Sequence, residues 1–379
     1  MRLEAPVPAE VLAAVRAPFA AAGARTFDAP VVQSLGQYLD LAGEAMRERL
    51  FIVQSPGGAE ACLRPDFTLS AARAHIASEA GEGRYLYEGH AFRVAPKGEA
   101  RAEEFLQIGL EVFENTERPA ADAAIAALAW RAAAAGGRDD LTMLLGDVAL
   151  FSAFIAGMDV AATVAARLTR AFSNPRRLRA ELASMSSGAA QKAREGERLA
   201  HLLAGVSEEE AAAVLDEILA LAAIPPPAGR SAAEIVHRLG ERATVARSPG
   251  LSAAQRQMID RFLAIEGTPD KAMEAIARLA GPGVGPLGKA LEDWAWRLDA
   301  LSRNGAPPNA MRFSAAFGRA FGYYDGFLFE IRSTALGEGA PVAAGGRYDS
   351  LPSRLGAASL VGAVGCTVRP GRAWIGGAA

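Results

Sequence analysis

The chain has 379 residues, of which 51% are hydrophobic and 22% charged, a composition typical of a soluble globular protein with about two to three domains. Forty Lys and Arg against 43 Asp and Glu give a net charge of -3, so composition offers no support for nucleic acid binding, and no apolar run approaches the roughly 18 residues that span a bilayer. Cys62 and Cys366 lie far apart without a CxxC pair, so we expect an untargeted cytoplasmic protein without disulfides, metal site or membrane association.

Outside the middle of the chain, the sequence predicts helices that alternate with short strands. A helix is expected over residues 8–22, followed by strand-like sequence. Candidate strands are Phe51–Val53, Arg84–Val94, Phe105–Phe113, Thr142–Leu145 and Phe327–Arg332. Candidate helices are Thr68–Ala80, Pro119–Ala135 and Val148–Ala156. This order predicts an α+β fold in which an antiparallel sheet is flanked by helices.

Composition changes after about Asp159, where the chain becomes alanine-rich and helix-periodic. Two S-x-x-E capping boxes, Ser207/Glu210 and Ser231/Glu234, and a helix start at Thr268-Pro269 support this reading. The GxGxxG pattern of residues 283–288 follows a helical rather than a strand-like segment, so it is interpreted as a helix–helix loop. We therefore predict a discontinuous core, residues 1–159 and 304–379, with an all-helical insertion at 160–303.

The segment Phe105–Phe113 predicts a strand with a binding face. Its apolar residues fall on one side with period two. The other side presents Gln107 and Glu111 on either side of Gly109, whose missing side chain leaves room above the sheet. An amide and a carboxylate in this arrangement predict that this face of the strand forms one wall of a binding site for a small polar ligand.

Three further signals are weak when taken singly. Arg93 and Arg101 flank a loop and either clamp an anion or are solvated loop charges. The Tyr323-Tyr324 pair either packs a ligand or covers the core edge. Gly345-Gly346 either permits close approach to a ligand or forms a turn.

Four segments together resemble the catalytic core of class II histidyl-tRNA synthetases. These are Leu63–Thr68, Phe92–Glu111, Tyr323–Gly326 and Ala344–Asp349, in the order and spacing of that family's signatures. The resemblance covers residues 5–155 and 310–370 and implies a class II synthetase-like fold. Its implied histidine-binding residues are Asp66, Thr68, Gln107, Glu111, Tyr323 and Tyr324. Its implied anion or vestigial nucleotide contacts are Arg93, Arg101 and Arg319.

Departures from the synthetase pattern bear on function. Ala95 replaces the glutamate that binds adenine, Phe67 and Gly322 alter the pocket, and Val368 replaces the glutamate of motif 3. Thirty residues follow Asp349, fewer than the about 50 that an anticodon-binding domain needs. A core altered in this way resembles the regulatory subunits of ATP phosphoribosyltransferase.

That second resemblance implies a non-catalytic protein without a cofactor. Its partner would be the short-form catalytic subunit, in the first step of histidine biosynthesis, with histidine as feedback effector and a homodimer inside a larger hetero-oligomer. A second hypothesis is a synthetase-like enzyme that activates an amino acid with ATP, supported by the retained Arg93, Arg319 and Arg369. A third is a structural scaffold with an empty pocket.

Overall fold

The structure is a computed structural model that describes residues 2–54, 60–99, 101–172, 174–186, 206–222, 231–237, 250–281, 285–319, 322–358 and 360–377. Within these ranges, no helix combines the length and apolar character needed to cross a membrane. The chain divides into two compact units. The first comprises residues 1–157, 173–175 and 261–379, and the second comprises residues 158–172 and 176–260.

The first unit is built on a nine-stranded mixed sheet with the order β1-β5-β6-β12-β11-β10-β7-β9-β8, beside a small three-stranded sheet with the order β2-β4-β3. Pairing is antiparallel except between β1 and β5 and between β7 and β9. The strands are β1 (Arg25–Thr26), β2 (Val32–Ser34), β3 (Ile52–Gln54), β4 (Glu60–Leu63), β5 (Gly83–Phe92), β6 (Glu104–Phe113), β7 (Leu141–Asp147), β8 (Glu266–Gly267), β9 (Met311–Ser314), β10 (Phe327–Ser333), β11 (Ala343–Arg347) and β12 (Ala363–Val368).

Helices cover the sheet and form most of the described part of the second unit. They are α1 (Ala9–Ala20), α2 (Leu35–Ala42), α3 (Thr68–Ala77), α4 (Arg118–Ala134), α5 (Val148–Ala156), α6 (Ala162–Phe172), α7 (Pro175–Ser186), α8 (Glu208–Leu221), α9 (232–237), α10 (Ala253–Leu263), α11 (Pro269–Ala280), α12 (Pro286–Arg303), α13 (Ser350–Arg354) and α14 (Pro370–Ala373).

Both faces of β6 are buried, because helices cover the sheet on each side. Small alanines of α4, including Ala126 and Ala129, are fully buried and allow this helix to pack against β10, β11 and β12. On the opposite face, His75 of α3 stacks on Phe113 of β6 with ring centroids 4.5 Å apart. The polar side of the predicted strand is therefore enclosed rather than open to solvent.

Helix α12 is held to the first unit by a buried ionic network. The Arg297 guanidinium donates to Asp122 of α4 at 2.8 and 3.0 Å and lies 3.7 Å from Asp147, which ends β7 and caps α5. Trp294, one turn earlier, donates to Asp147 at 2.8 Å. Arg347 of β11 donates to the other oxygen of Asp122 at 2.7 Å, so the network reaches the sheet.

The second unit is helical in its described residues. The two predicted capping boxes are present: Ser207 and Ser231 each accept a hydrogen bond from the backbone N–H three residues later, and Glu210 and Glu234 accept from the serine backbone. A small cluster of alanines and Val236 packs α8 against α9. The predicted helix start at Pro269 is also confirmed.

The predicted insertion, residues 160–303, runs beyond this second unit. Residues 261–303 belong to the first unit, where α12 buries Trp294 and Arg297, and they include the short strand β8. The GxGxxG pattern lies between α11 and α12, although residues 283 and 284 fall outside the described ranges. The turn predicted as one alternative for Gly345-Gly346 is wrong, because both glycines lie in the middle of β11. A Cβ on Gly345 would meet the Phe329 ring at 2.7 Å, so the glycine permits close strand packing.

Candidate functional site

A small cavity lies where the start of α3 meets the polar side of β6. Asp66 precedes α3, Thr68 is its first residue, and Gln107 and Glu111 are two positions either side of Gly109 on β6. The cavity is also lined by Tyr323 and Tyr324, from the segment between β9 and β10. All six predicted histidine-binding residues therefore line one cavity, although they come from distant parts of the chain.

Glu111 is the most deeply enclosed titratable carboxyl group of this site, with 1% of its surface exposed. Its carboxyl accepts hydrogen bonds from the Thr68 hydroxyl at 2.7 Å, from the Tyr87 hydroxyl at 3.4 Å and from the Tyr348 hydroxyl. Gly365 on the neighbouring strand makes room for it, since a Cβ there would overlap the carboxylate. Burial raises the pKa of Glu111 to about 8, against the lowering effect of the Tyr348 and Thr68 hydroxyls, so the carboxyl is largely protonated at neutral pH.

Three buried oxygen atoms around the cavity form no hydrogen bond within the part of the chain that the structure describes. They are Asp66 Oδ1, Gln107 Oε1 and Thr367 Oγ1. Buried polar atoms without partners are uncommon and costly, typically about 1–3 kcal/mol each. Burial raises the pKa of Asp66, while the positive charge of Arg93 opposes that shift. The lining thus presents acceptors that suit a small donor-rich cation.

The space above Gly109 is filled by protein. A Cβ on Gly109 would collide with the Tyr87 hydroxyl, so the glycine accommodates this tyrosine rather than leaving an open floor. Phe67, which departs from the synthetase pattern, stacks on Tyr87 with centroids 4.3 Å apart. The remaining cavity has a volume of about 20 Å³, the space of one water molecule. An amino acid is larger than this space, so the cavity in this conformation does not hold one.

Sequence reasoning missed two residues of the site, Tyr87 and Tyr348. Both donate to Glu111, yet neither was among the predicted site residues. Tyr348 could have been found from the Ala344–Asp349 signature, because it directly precedes Asp349 and falls beside the strand pair β11–β12. Tyr87 could have been found from its register, since it pairs with Gly109, whose missing side chain leaves space for the ring.

A second and larger cavity, with a volume of about 460 Å³, adjoins the first. Arg93 and Arg319 line both cavities, whereas Arg101 lines only the larger one. The three arginines predicted as anion contacts are thus gathered around one space. Arg319 also donates to Glu330 at 2.7 Å, and Arg101 pairs with Glu99 at 2.5 Å. Ala95, where the synthetase pattern has a glutamate, lies in the wall of this cavity.

Comparison with known proteins agrees with the arrangement of the core. A family model described as histidyl-tRNA synthetase matches residues 4–241 and 211–372. A Bacillus halodurans structure, described as an ATP phosphoribosyltransferase regulatory subunit/histidyl-tRNA synthetase, superposes with a TM-score of 0.64 at 20% identity, over 96% of this chain and 77% of that chain. The predicted α+β, class II synthetase-like fold is thereby confirmed.

Curated relatives show to which protein family with this fold the chain belongs. The ATP phosphoribosyltransferase regulatory subunit of Mesorhizobium japonicum is 35% identical over 353 residues, 92% of each chain. The protein of the same name from Chelativorans sp. is 36% identical over 343 residues, 89% of each chain. This chain belongs to the family of ATP phosphoribosyltransferase regulatory subunits, on a histidyl-tRNA synthetase-like core.

Proposed function

We propose that this chain is a non-catalytic regulatory subunit that assembles with a short-form ATP phosphoribosyltransferase catalytic subunit and binds histidine as its effector. The names of its curated relatives support the partnership and, with it, a role in the first step of histidine biosynthesis. We expect a homodimer of this chain inside the larger assembly.

The observation that carries histidine binding is the set of unsatisfied acceptors beside Glu111. An α-ammonium group has three N–H donors and no acceptor, which suits Asp66 Oδ1, Gln107 Oε1 and Thr367 Oγ1. Glu111, with a pKa of about 8, is able either to donate a hydrogen bond to an imidazole nitrogen or to accept one from an imidazole N–H. Arg93 and Arg319, at the side shared with the larger cavity, suit the ligand's carboxylate.

Regulation then follows from linkage between this pocket and the active site of another chain. Histidine inhibits the complex only if it binds the inactive arrangement more tightly than the active one. In this proposal Tyr323 and Tyr324 close the pocket in the active arrangement and open it in the inactive one, so histidine, which is too large for the water-sized cavity, binds the inactive arrangement more tightly.

The test is to co-purify this chain with a short-form catalytic subunit and to assay phosphoribosyl transfer with and without histidine. We expect the mixture to be active and to be inhibited by histidine. Glu111→Gln should abolish inhibition while the complex still co-purifies, because an amide cannot ionise to the carboxylate that forms a charge-assisted hydrogen bond with an imidazole N–H. The matched control is Glu88→Gln on β5, which loses an exposed ion pair with Arg16 and should keep inhibition.

The rival hypotheses predict different results. A synthetase-like enzyme would catalyse histidine-dependent exchange between ATP and diphosphate, and exchange at synthetase-like rates would rule out the regulatory proposal. A structural scaffold would give neither calorimetric heat nor thermal stabilisation with histidine. Co-purification without any response to histidine would support the partnership and contradict the effector assignment.

A further inference from the structure

Asp325 joins the two segments that carry the pocket tyrosines. It directly follows Tyr324, whereas Tyr348 stands between Arg347 and Asp349. The Asp325 backbone N–H donates to the Arg347 carbonyl at 3.1 Å. The Asp325 carboxylate accepts from the backbone N–H of Asp349 at 3.1 Å and from that of the following residue at 2.6 Å. A displacement of Tyr324 that preserves these three hydrogen bonds therefore carries the Tyr348 segment with it.

Arg347 connects these joined segments to helix α4. Its guanidinium donates to Asp349 at 2.8 Å and to Asp122 of α4 at 2.7 Å. Arg347 is 5% exposed and Asp122 is 0% exposed, so bulk water cannot replace the bond between them. Separating the partners of a buried ion pair is strongly unfavourable, because each charge is then left without a partner in a medium of low polarity. Asp122 is therefore expected to follow a shift of Arg347.

Arg297 of α12, which binds the other oxygen of Asp122, has one unsatisfied donor. Its Nε and Nη2 donate to Asp122, but its buried Nη1 has no hydrogen-bond acceptor among the residues that the structure describes. Asp147 Oδ2 lies 3.7 Å from Nη1, so a shift of about 0.8 Å would give a hydrogen bond of the usual length, about 2.9 Å. A buried unpaired donor is costly. A second arrangement, in which Arg297 also bonds Asp147, is therefore close in geometry and removes that cost.

We infer that these buried contacts form a conformational link through which the amino-acid pocket sets the position of α12. In order from the pocket, the link consists of Asp325, Arg347, Asp122, Arg297 and Asp147. When the Tyr323–Tyr324 segment opens, Asp325 draws the Arg347 segment with it, and the Arg297 guanidinium closes onto Asp147. The inference rests on the proposed function for the ligand, since histidine is there the effector that opens the pocket. The link itself is present without a ligand.

Trp294 reports on the far end of the link. Its indole N–H donates to Asp147 at 2.8 Å, and the guanidinium carbon of Arg297 lies 5.0 Å from its ring centroid. Fluorine NMR of the full chain labelled with 5-fluorotryptophan should resolve the four tryptophans, and Trp294→Phe assigns the resonance. Saturating histidine should shift the Trp294 resonance. The resonance of Trp374, which pairs with Gly137 outside the link, should stay in place.

Two variants interrupt the link near the pocket. Arg347→Lys keeps the positive charge but loses the guanidinium fork that bonds Asp122 and Asp349 at once. Histidine should still saturate this variant, with at least about half of the Trp294 shift lost. Asp325→Asn, at a partly exposed position, places an amide NH₂ against one of the two backbone N–H groups that the carboxylate now binds. It should shift the Trp294 resonance even without histidine.

Matched controls are Arg303→Lys at the exposed end of α12 and Asp28→Asn, whose side chain is 97% exposed; both should behave like the wild type. The inference is overturned if bound histidine leaves Trp294 unshifted, if Arg347→Lys keeps the full shift, or if Asp325→Asn behaves like Asp28→Asn. Calorimetric titration with histidine separates the two proposals. Absence of binding contradicts the effector assignment, and Asp325→Asn then decides the link alone, as it does if Arg347→Lys fails to fold.

Discussion

Glu111 illustrates how a single buried carboxyl couples pocket chemistry to stability. Its pKa of about 8 means that the native state keeps a proton that the unfolded chain releases near pH 4.5. Between these two values the native state binds more protons than the unfolded state. The free energy of unfolding therefore falls as the pH rises through this window, and the contribution is lost once the pH passes the folded pKa.

We predict that Glu111→Gln flattens the decline in stability between about pH 5 and pH 8. The wild-type decline attributable to this group is at most about 5 kcal/mol. Urea unfolding at several pH values measures it, with Glu88→Gln as the exposed control. Parallel curves for the wild type and Glu111→Gln would show that Glu111 is ionised in the native protein.

Glycine at position 365 makes room for Glu111, which gives a second test at the residue scale. A Cβ at Gly365 would overlap the Glu111 carboxylate and approach the Leu110 carbonyl at 2.9 Å. Gly365→Ala should therefore destabilise the protein by about 1–3 kcal/mol, the usual cost of overpacking. Gly36→Ala on the exposed side of α2, where no heavy atom lies within 4 Å of the added carbon, should be neutral or slightly stabilising. Chemical denaturation of both variants measures the difference, and equal stabilities would contradict the close packing.

At the level of elements, long periodic segments were predictable and short or glycine-rich ones were not. The period-two pattern of Phe105–Phe113 became β6, and Val148–Ala156 became α5 with the predicted bounds. Strand β11 contains Gly345-Gly346, which has low strand propensity and reads as a turn. Its pairing is fixed by neighbours that are distant in sequence, including Gly365 and Phe329. Local sequence cannot reveal such a requirement.

In the candidate site, too, features with a local sequence signal were predictable and features fixed by distant residues were not. Residues that came with a linear signature, such as Asp66 and Gln107, were predicted and do line one cavity. Contacts formed across the sheet were not predicted, as the Tyr87 and Tyr348 hydrogen bonds to Glu111 show. The small volume of the cavity was likewise unpredictable, because Tyr87 and the Phe67 ring stacked on it fill space that Gly109 opens.

The buried ionic network that holds helix α12 to the core gives a prediction about the stability of a whole element. Arg297→Met keeps the aliphatic stem but, among the residues that the structure describes, leaves Asp147 without a guanidinium partner and Asp122 with Arg347 alone. Removing one member of a buried ionic network costs about 3–5 kcal/mol, so urea denaturation should show a loss of that size. Arg303→Met, near the end of the same helix and in an exposed pair with Asp299, should change stability by less than about 0.5 kcal/mol. A small effect of Arg297→Met would mean that α12 is held mainly by apolar packing.

Across the whole molecule, the functional groups are concentrated in one of the two compact units. Both cavities, the family signatures and the Arg297 network lie in the first unit. The second unit has its own small alanine core and its own capped helices. Two separately packed units need not unfold in a single cooperative step.

Tryptophan positions make this testable without any substitution. All four tryptophans, Trp130, Trp294, Trp296 and Trp374, belong to the first unit, whereas helices of both units contribute to far-ultraviolet circular dichroism. During urea denaturation we expect the fluorescence transition to differ from the dichroism transition. Histidine should move the fluorescence midpoint to higher urea, since a ligand of the native first unit stabilises that unit by mass action. Superimposable transitions at every histidine concentration would contradict independent units and show that the chain unfolds as one cooperative whole.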